Sequence, residues 1–321
     1  MNSIYGFVKY SVFCLLVCCF LSGCSKKSQI TEPVPVNFTE LGGSVEGTLT
    51  FDKSPYWVTK DLVVDSNTTL TVAEGVRLYF SDSSRLMVKG QLVCLGSKSN
   101  PILLSSKDKY WSGVIIKASL QPSTLQFVVV ENVDLTMIPD TGRNGAIDIS
   151  NADVTIRNSI FRNNKSKNGG AIALIQSNST ITNNIFYNNS ADVYGGAILS
   201  MESSNKIINN TFYKNRSYNY GGALVLISPI FEEVQNNIFY QNSCGSGDTR
   251  ISYLQTDTSH FNVQYNFMIL GDTSPLFVSV TDFHLTNLSP CINTGNPSTI
   301  YNDLDGTRND QGAFGGPLGE W

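Results

Sequence analysis

Charged side chains are scarce in this chain of 321 residues. Asp, Glu, Lys and Arg together make up 15% of it, where about 25% is typical of soluble domains, and Asn, Ser, Thr and Gly take their place. The net charge of −4 gives no reason to expect a basic face or a nucleic-acid partner. Histidine is almost missing too, because His260 and His284 are the only two. Neither belongs to a zinc-type spacing.

Cysteine is scarce in the body of the chain. Four of the seven cysteines lie within the first 24 residues, which leaves Cys94, Cys244 and Cys291. Three cysteines form at most one disulfide, so the chain is not a disulfide-stabilised scaffold. A β-rich domain of this size buries enough apolar surface to fold without one.

Long apolar runs are missing, apart from a short one near the N-terminus. Lys9 precedes an apolar run over residues 12–21, which is shorter than the roughly 20 residues that cross a bilayer and suits the core of a signal peptide. The run ends in Leu21-Ser22-Gly23-Cys24, which resembles the bacterial lipobox. That resemblance implies cleavage before Cys24 and lipidation of its thiol. An ordinary secretory signal or a short membrane anchor is the alternative.

The lipobox interpretation divides the start of the chain into a signal peptide, residues 1–23, and a tether, residues 24–46. It predicts the membrane as a partner through the lipid anchor, because buried acyl chains contribute about 0.8 kcal/mol per methylene. The expected location is the cell envelope, as an outer-membrane lipoprotein. Whether it faces the periplasm or the cell surface is left open.

The body of the chain repeats itself every 25 to 27 residues. Each repeat contains a segment of the form Asn-x-x-Phe, and its phenylalanines are Phe161, Phe186, Phe212 and Phe239. Glycine-rich segments recur between them at nearly the same steps: Gly145-Ala146-Ile147, Gly169-Gly170-Ala171-Ile172, Gly195-Gly196-Ala197-Ile198 and Gly221-Gly222-Ala223-Leu224. A constant step of this length indicates stacked units, none of which buries its apolar side alone.

Each repeat predicts one coil of a parallel β-helix. Glycine, asparagine and β-branched residues are poor helix formers, and short runs such as Ser179-Thr180-Ile181-Thr182 alternate as strands do. A leucine-rich repeat has a similar period of about 20–29 residues, but its leucine pattern is absent. We expect the phenylalanines to stack inside and the glycines to permit tight turns or close approach of coils. The asparagines expected to form a ladder of side-chain amides are Asn158, Asn183, Asn209 and Asn236.

The paired GGAI and FxxN motifs between Gly145 and Asn242 resemble the repeats of polymorphic outer-membrane proteins, within the right-handed β-helix superfamily that includes pectate lyases. The sections on either side, such as Trp111-Ser112-Gly113 and Ser289-Pro290-Cys291, resemble the ends of β-helix lipoproteins of Bacteroides-like bacteria. The resemblance implies an all-β fold, a single-stranded right-handed parallel β-helix of the pectate-lyase-like kind, over residues 47–280. A C-terminal cap over residues 281–321 would cover the last coil.

No catalytic constellation stands out, and we predict no catalytic residue. A pectate-lyase-like enzyme needs acids one coil apart to hold calcium, with an Arg or Lys nearby. With the repeat step, Asp148 stacks on Ala173 and then Leu199, so no carboxylate follows it. Asp303 and Asp305 resemble a calcium loop but lack the full spacing of an EF-hand. They are weak metal candidates, and we expect no cofactor besides calcium.

The outer surface offers an aromatic feature. Residues that follow a buried phenylalanine should point outward, which puts Arg162, Tyr187, Tyr213 and Tyr240 in a stripe with about 4.8 Å between coils. A second pair on the outer surface is Tyr194 and Tyr220. Tyrosine rows with asparagines nearby suit sugar rings, so these residues are candidates for ligand binding. Cross-coil stacking that stabilises the sheet is the alternative.

Two functions follow from these observations. A cell-envelope lipoprotein that uses its β-helix to bind glycans or another surface component, or as a structural module, fits the uncharged ladders and the aromatic stripe. A polysaccharide lyase or glycoside hydrolase of the pectate-lyase-like superfamily is the alternative, and the sequence leaves open whether the chain is an enzyme. A fold by itself does not choose between them.

Overall fold

The computed structural model describes residues 37–138, 144–246, 249–254, 258–268, 273–319 and 321. The predicted signal peptide and Cys24 lie outside these residues. The described chain consists of β-strands joined by turns, with four short 3₁₀ helices. In this part of the chain, no helix has the length and apolar character needed to span a membrane.

The strands are short, and their alternating burial follows the alternating polarity of the sequence. In chain order they are β1 (Thr39–Ser44), β2 (Gly47–Leu49), β3 (Tyr56–Val64), β4 (Thr69–Ala73), β5 (Arg77–Phe80), β6 (Leu86–Val88), β7 (Gln91–Leu95), β8 (Ile102–Ser106), β9 (Val114–Lys117), β10 (Ser123–Gln126), β11 (Val128–Glu131), β12 (Ile147–Ser150), β13 (Val154–Arg157), β14 (Ile160–Arg162), β15 (Lys165–Asn168), β16 (Ile172–Ile175), β17 (Thr180–Thr182), β18 (Ile185–Tyr187), β19 (Ser190–Tyr194), β20 (Ile198–Met201), β21 (Lys206–Ile208), β22 (Thr211–Tyr213), β23 (Arg216–Ser217), β24 (Leu224–Ile227), β25 (Glu232–Gln235), β26 (Ile238–Tyr240), β27 (Ile251–Leu254) and β28 (Phe261–Gln264). The 3₁₀ helices are Phe51–Lys53, Leu135–Met137, Thr258–His260 and Thr299–Tyr301.

The strands form a right-handed parallel β-helix with three faces. Face 1 runs from the second half of β3 through β6, β9, β12, β16, β20, β24 and β27. Face 2 runs through β2, β4, β7, β10, β13, β17, β21, β25 and β28. Face 3 runs from the first half of β3 through β5, β8, β11, β14, β18, β22 and β26. One coil passes from β12 through β13, β14 and the short β15 to β16, which begins the next coil, and each strand pairs in parallel with its counterpart there. The strands β15, β19 and β23 form a short additional sheet between faces 3 and 1. The predicted fold class is confirmed.

The ends of the helix differ from the predicted boundaries. Paired strands begin at Thr39 in β1, upstream of residue 47. At the other end, β28 ends at Gln264, and the chain then crosses back over face 3. Phe277 forms an antiparallel bridge with Leu285. The segment that crosses face 3 therefore begins before residue 281, where the cap was predicted to begin. We call residues 273–321 the strap.

The phenylalanine stack lies in the lumen as predicted. Phe161, Phe186, Phe212 and Phe239 are buried, with successive ring centroids 5.0, 5.0 and 4.7 Å apart and rings within 12° of parallel. Parallel strands space their side chains at about 4.8 Å, so the coil step itself sets the ring spacing. Offset stacking and burial of the rings then stabilise each coil against its neighbours.

The asparagine ladders run through other residues than those predicted, although the side-chain amide of Asn236 donates to Asn209 at 3.3 Å. The side-chain amide of Asn184 donates to Asn210 at 3.0 Å, and that of Asn210 donates to Asn237 at 3.0 Å. A second ladder runs along Asn164, Asn189, Asn215 and Asn242. The predicted residues have left-handed backbone, with φ between 51° and 58°. That conformation turns their side chains away from the ladder; they are Asn158, Asn183, Asn209 and Asn236.

Within each glycine pair, the first residue permits the tight turn and the second permits the close approach of coils, the two roles predicted from the sequence. The first glycine of each pair has positive φ, as at Gly195 with 63°. The second lies so close to the next coil that a Cβ on Gly196 would lie 2.0 Å from the carbonyl oxygen of Gly222. Only glycine permits that approach of two backbones.

Candidate functional site

Face 3 carries two columns of outward side chains, fixed by strand register. The outer apolar column is Val129, Ile160, Ile185, Thr211 and Ile238. The aromatic column, two residues further along each strand, is Glu131, Arg162, Tyr187, Tyr213 and Tyr240. It contains four of the predicted ligand-binding residues, now joined by Glu131.

The strap covers the aromatic column. The ring of Phe283 lies 5.4 Å from the rings of both Tyr187 and Tyr213, and that of Phe277 lies 6.2 Å from Tyr213 and 6.3 Å from Tyr240. Tyr213 is consequently only 6% exposed. The prediction of an open tyrosine stripe is wrong at Tyr213, because the strap buries rings that alternation correctly directs away from the lumen. Tyr213 and Tyr240 stack on each other, 5.9 Å apart, which is the cross-coil alternative.

Arg162 is engaged at the upstream end of this column. Its Nε donates to Glu131 at 2.6 Å, and a terminal nitrogen donates to the hydroxyl of Tyr187 at 3.0 Å. Glu131 also accepts from Ser105 at 3.0 Å. These charge-assisted bonds join four successive coils, at β8, β11, β14 and β18, so the guanidinium has a structural role on this face.

Tyr194 and Tyr220 form a pair between neighbouring coils. Their residues are bridged in parallel and their ring centroids lie 6.1 Å apart. Tyr194 packs against a small cluster outside the lumen that includes Leu199 and Val225. The geometry is that of cross-coil stacking, and their role in ligand binding stays a prediction.

A cleft of about 320 Å³ remains where the strap leaves the outer apolar column uncovered. Val129 and Ile160 form its floor, and Ile185 lies where the strap closes it. Its remaining residues are Lys98, Pro101, Phe127, Val128, Asn158, Thr281, Asp282, Phe283, His284, Phe314 and Trp321. A concave, mostly apolar surface with a few polar groups at its rim is the usual form of a small-ligand site, and its volume is at the lower end of the usual 300–1,000 Å³.

The aromatic walls of the cleft come from the strap and from one turn of the helix. The rings of Phe314 and Trp321 lie 5.1 Å apart, and Trp321 meets Phe127 edge-on at 6.3 Å. The indole nitrogen of Trp321 donates to the carbonyl of Ala313 at 2.8 Å. This bond holds the indole at the cleft. Sequence reasoning missed these rings because none belongs to the repeat.

A histidine–aspartate pair lies at the rim. Nδ1 of His284 lies 2.6 Å from Oδ1 of Asp282, and the imidazole stacks on Phe314 with centroids 3.7 Å apart. Hydrogen bonds from the side chain and backbone of His284 lower the pKa of Asp282, because they stabilise its ionised form. The imidazole packs on Phe314 and also borders the cleft.

The weak metal candidates lie in a separate acidic pocket of the strap. Both carboxylate oxygens of Asp303 accept backbone bonds from Asp310, and one also accepts from Gly316. Asp305 accepts from the backbone and hydroxyl of Thr307. Within the described residues, no group of three or more His, Cys, Asp or Glu side chains is arranged to hold a metal ion. Calcium binding by Asp303 and Asp305 stays a prediction.

The strand register also fixes what surrounds Asp148. It pairs with Ala173, which pairs with Leu199, as the repeat step predicted. The buried carboxylate lies 3.4 Å from Nζ of Lys117. This ion pair gives Asp148 a structural partner on its own face.

The comparison with known proteins concerns the solenoid. Residues 112–267 match the family model described as a right handed beta helix region. No curated protein matches the chain. The match agrees with the handedness and the stacked coils, and the strap that walls the cleft lies beyond the matched residues.

Proposed function

We propose that this chain is a cell-envelope lipoprotein, anchored at Cys24, whose β-helix serves as a glycan-binding module. The observation that supports this proposal is the cleft between face 3 and the strap. It combines an apolar floor at Val129 and Ile160 with aromatic walls and a polar rim. A cleft with these features suits ligands that present an apolar face and hydroxyl groups together, as sugar rings do.

Each part of the cleft suits a part of a sugar. The ring of Trp321 offers a flat face for the C–H side of a pyranose. When Nδ1 of His284 donates to Asp282, its Nε2 is an acceptor for a sugar hydroxyl. Lys98, another residue of the lining, adds donors. Binding and orientation by these groups require no bond making.

Binding should be measured on the full chain in detergent, first on a glycan array and then by calorimetry with the glycan found. Trp321→Ala should weaken affinity by roughly thirtyfold, since buried aromatic anchors contribute about 2 kcal/mol or more. Tyr218→Ala is the matched control, because Tyr218 is 71% exposed and lies outside the cleft lining. Equal affinities of both variants and the parent, or no glycan bound at all, would contradict the proposal.

A polysaccharide lyase or glycoside hydrolase is the second candidate, and the Asp282–His284 pair favours it. A carboxylate that orients a histidine in a cleft is an arrangement that general bases use. The same purified chain should be incubated with a panel of polysaccharides while unsaturated products and new reducing ends are measured. Product that disappears in His284→Phe, which keeps the stacked ring, would favour the enzyme over the binding module.

A further inference from the structure

Glu232 lies inside the lumen, where the other inward residues that the structure describes are apolar or uncharged. It begins β25, and its side chain is 0% exposed. Val234, the next inward residue of the strand, is equally buried. Isolated buried carboxylates are costly when ionised, so this residue needs an explanation that the packing of the solenoid does not provide.

Two neutral groups contact the carboxyl. Its Oε1 accepts from the hydroxyl of Ser200 at 2.5 Å and from the amide of Asn205 at 3.1 Å. The other oxygen, Oε2, is buried without a hydrogen-bond partner among the described residues. An ionised carboxylate would leave that oxygen desolvated, whereas a protonated one carries much less charge to desolvate.

Charged groups on the surrounding strands do not offset a negative charge there. On β21, Lys206 is exposed and pairs in register with Glu233, not with Glu232. Glu232 pairs with Phe261 of β28, and Tyr253 is the titratable residue of β27. Arg250, just before β27, donates to the carbonyl of Met268. Burial raises the pKa of Glu232 to about 7, against the opposing effect of its bonds to Ser200 and Asn205.

The outer side of the same strand holds the strap. Glu233 accepts from the hydroxyl of Tyr301 at 2.8 Å, and Gln235 accepts from the amide of Asn296 at 2.6 Å. Just after β25, the backbone nitrogen of Gly312 donates to the carbonyl of Asn236 at 2.8 Å. One short strand therefore carries the buried acid on its inner side and anchors for the strap on its outer side.

We propose that Glu232 is a protonation switch that couples pH to the docking of the strap on the last coils. While the carboxyl is neutral, β25 keeps its place between β21 and β28. Loss of the proton puts an uncompensated charge in the lumen and weakens the pairing of β25, and with it the contacts at Glu233, Gln235 and Asn236. Because the strap also forms the cleft wall, the same event would loosen the candidate site.

The direction of the pH effect follows from the raised pKa. A carboxyl with a higher pKa in the folded chain than in the unfolded chain stabilises the fold while both are protonated. This contribution to the stability of the fold is complete below pH 4.5, the ordinary pKa of the carboxyl. It falls as pH rises towards the raised pKa of about 7 and is absent above that pH. Destabilisation at neutral and alkaline pH is the expected outcome.

Hydrogen exchange of the full chain tests the switch without reference to any ligand. The informative amides are those of Val234 in β25 and Gly312 in the strap. At pH 8.5, Glu232→Gln should exchange up to roughly 300-fold more slowly than the parent at both amides, since each pKa unit between 4.5 and about 7 is a factor of ten. At pH 4.5 the two should exchange alike. Glu74→Gln, at an exposed glutamate, should match the parent at both pH values.

Equal exchange of the parent and Glu232→Gln at pH 8.5 would overturn the proposal. Slower exchange of the variant at Val234 with unchanged exchange at Gly312 would overturn the coupling to the strap. If the variant does not fold, the carboxyl carbon of Glu232 can be titrated by carbon-13 NMR in the unaltered chain. A midpoint near 7 supports the switch, and a midpoint near 4.5 overturns it.

Discussion

Asn209 and Asn309 form a reciprocal amide pair, in which each side chain donates to the oxygen of the other at 3.2 Å. Asn209 also donates to the carbonyl oxygens of Asp310 and Gly312. One coil earlier, Asn183 donates to Ala313 and Gly315 in the same way. The first asparagine of each doublet therefore binds the strap, while the second builds the ladder in the turn.

Substitution of Asn209 should separate its two contributions. Asn209→Ala loses the amide contacts and forces alanine into left-handed backbone, whereas Asn209→Gly loses only the contacts. We expect a loss of about 1–3 kcal/mol in unfolding free energy from the contacts and about 1 kcal/mol more for alanine, from the backbone. Urea unfolding of both variants measures the difference. Equal losses in the two would show that the backbone conformation adds nothing.

Gly196 should not tolerate even a methyl group. In Gly196→Ala the new Cβ would overlap the backbone of the next coil at Gly222, so we expect a loss of more than about 3 kcal/mol or no folded protein. Gly306→Ala is the matched control. Its φ is 85° but nothing lies within 4 Å of the added Cβ, so only about 1 kcal/mol of backbone strain applies. Similar thermal unfolding of the two variants would disprove a steric cause.

Two acids of the strap should show opposite pH dependence. Burial raises the pKa of Asp303 from 3.8 to about 6, so its contribution to stability is complete below 3.8 and lost as pH rises towards 6. Hydrogen bonds from Thr307 lower the pKa of Asp305, so its contribution is present above 3.8 and lost as pH falls. Asparagine mimics the protonated acid, so Asp303→Asn and Asp305→Asn should both follow the parent at pH 3. At pH 7 the melting temperature of Asp303→Asn should lie above that of the parent, and that of Asp305→Asn below it. Parallel curves would contradict this assignment.

Lipidation can be tested at Cys24 itself. Cys24→Ser should move the chain from the membrane fraction to the soluble fraction and abolish labelling by a radioactive fatty acid, because the acyl chains provide the anchor. Cys19→Ser, within the apolar run of the signal peptide, should change neither. Retention of Cys24→Ser in membranes would instead indicate that the apolar run is an uncleaved anchor.

The solenoid could be predicted from the sequence because each repeat places the same residue types at the same positions of a coil. The spacing of Phe161, Phe186, Phe212 and Phe239 gave the step, the lumen position and the ring stack. The glycine pairs gave the close approach of coils. The sequence did not reveal which asparagine of each doublet faces the ladder, since a left-handed residue at the turn reverses the order that simple alternation suggests.

The tertiary structure alone decided what covers the outside of the coils. Tyr213 faces away from the lumen, as alternation requires, yet it is buried because Phe277 and Phe283 pack on it. Those contacts join positions far apart in the chain and follow no period, so the repeat pattern does not predict them. The cleft at Val129 and Ile160 likewise exists because the strap does not cover these two residues. Stacking is encoded locally in each coil, whereas the open and closed parts of face 3 depend on where a non-repeating segment packs.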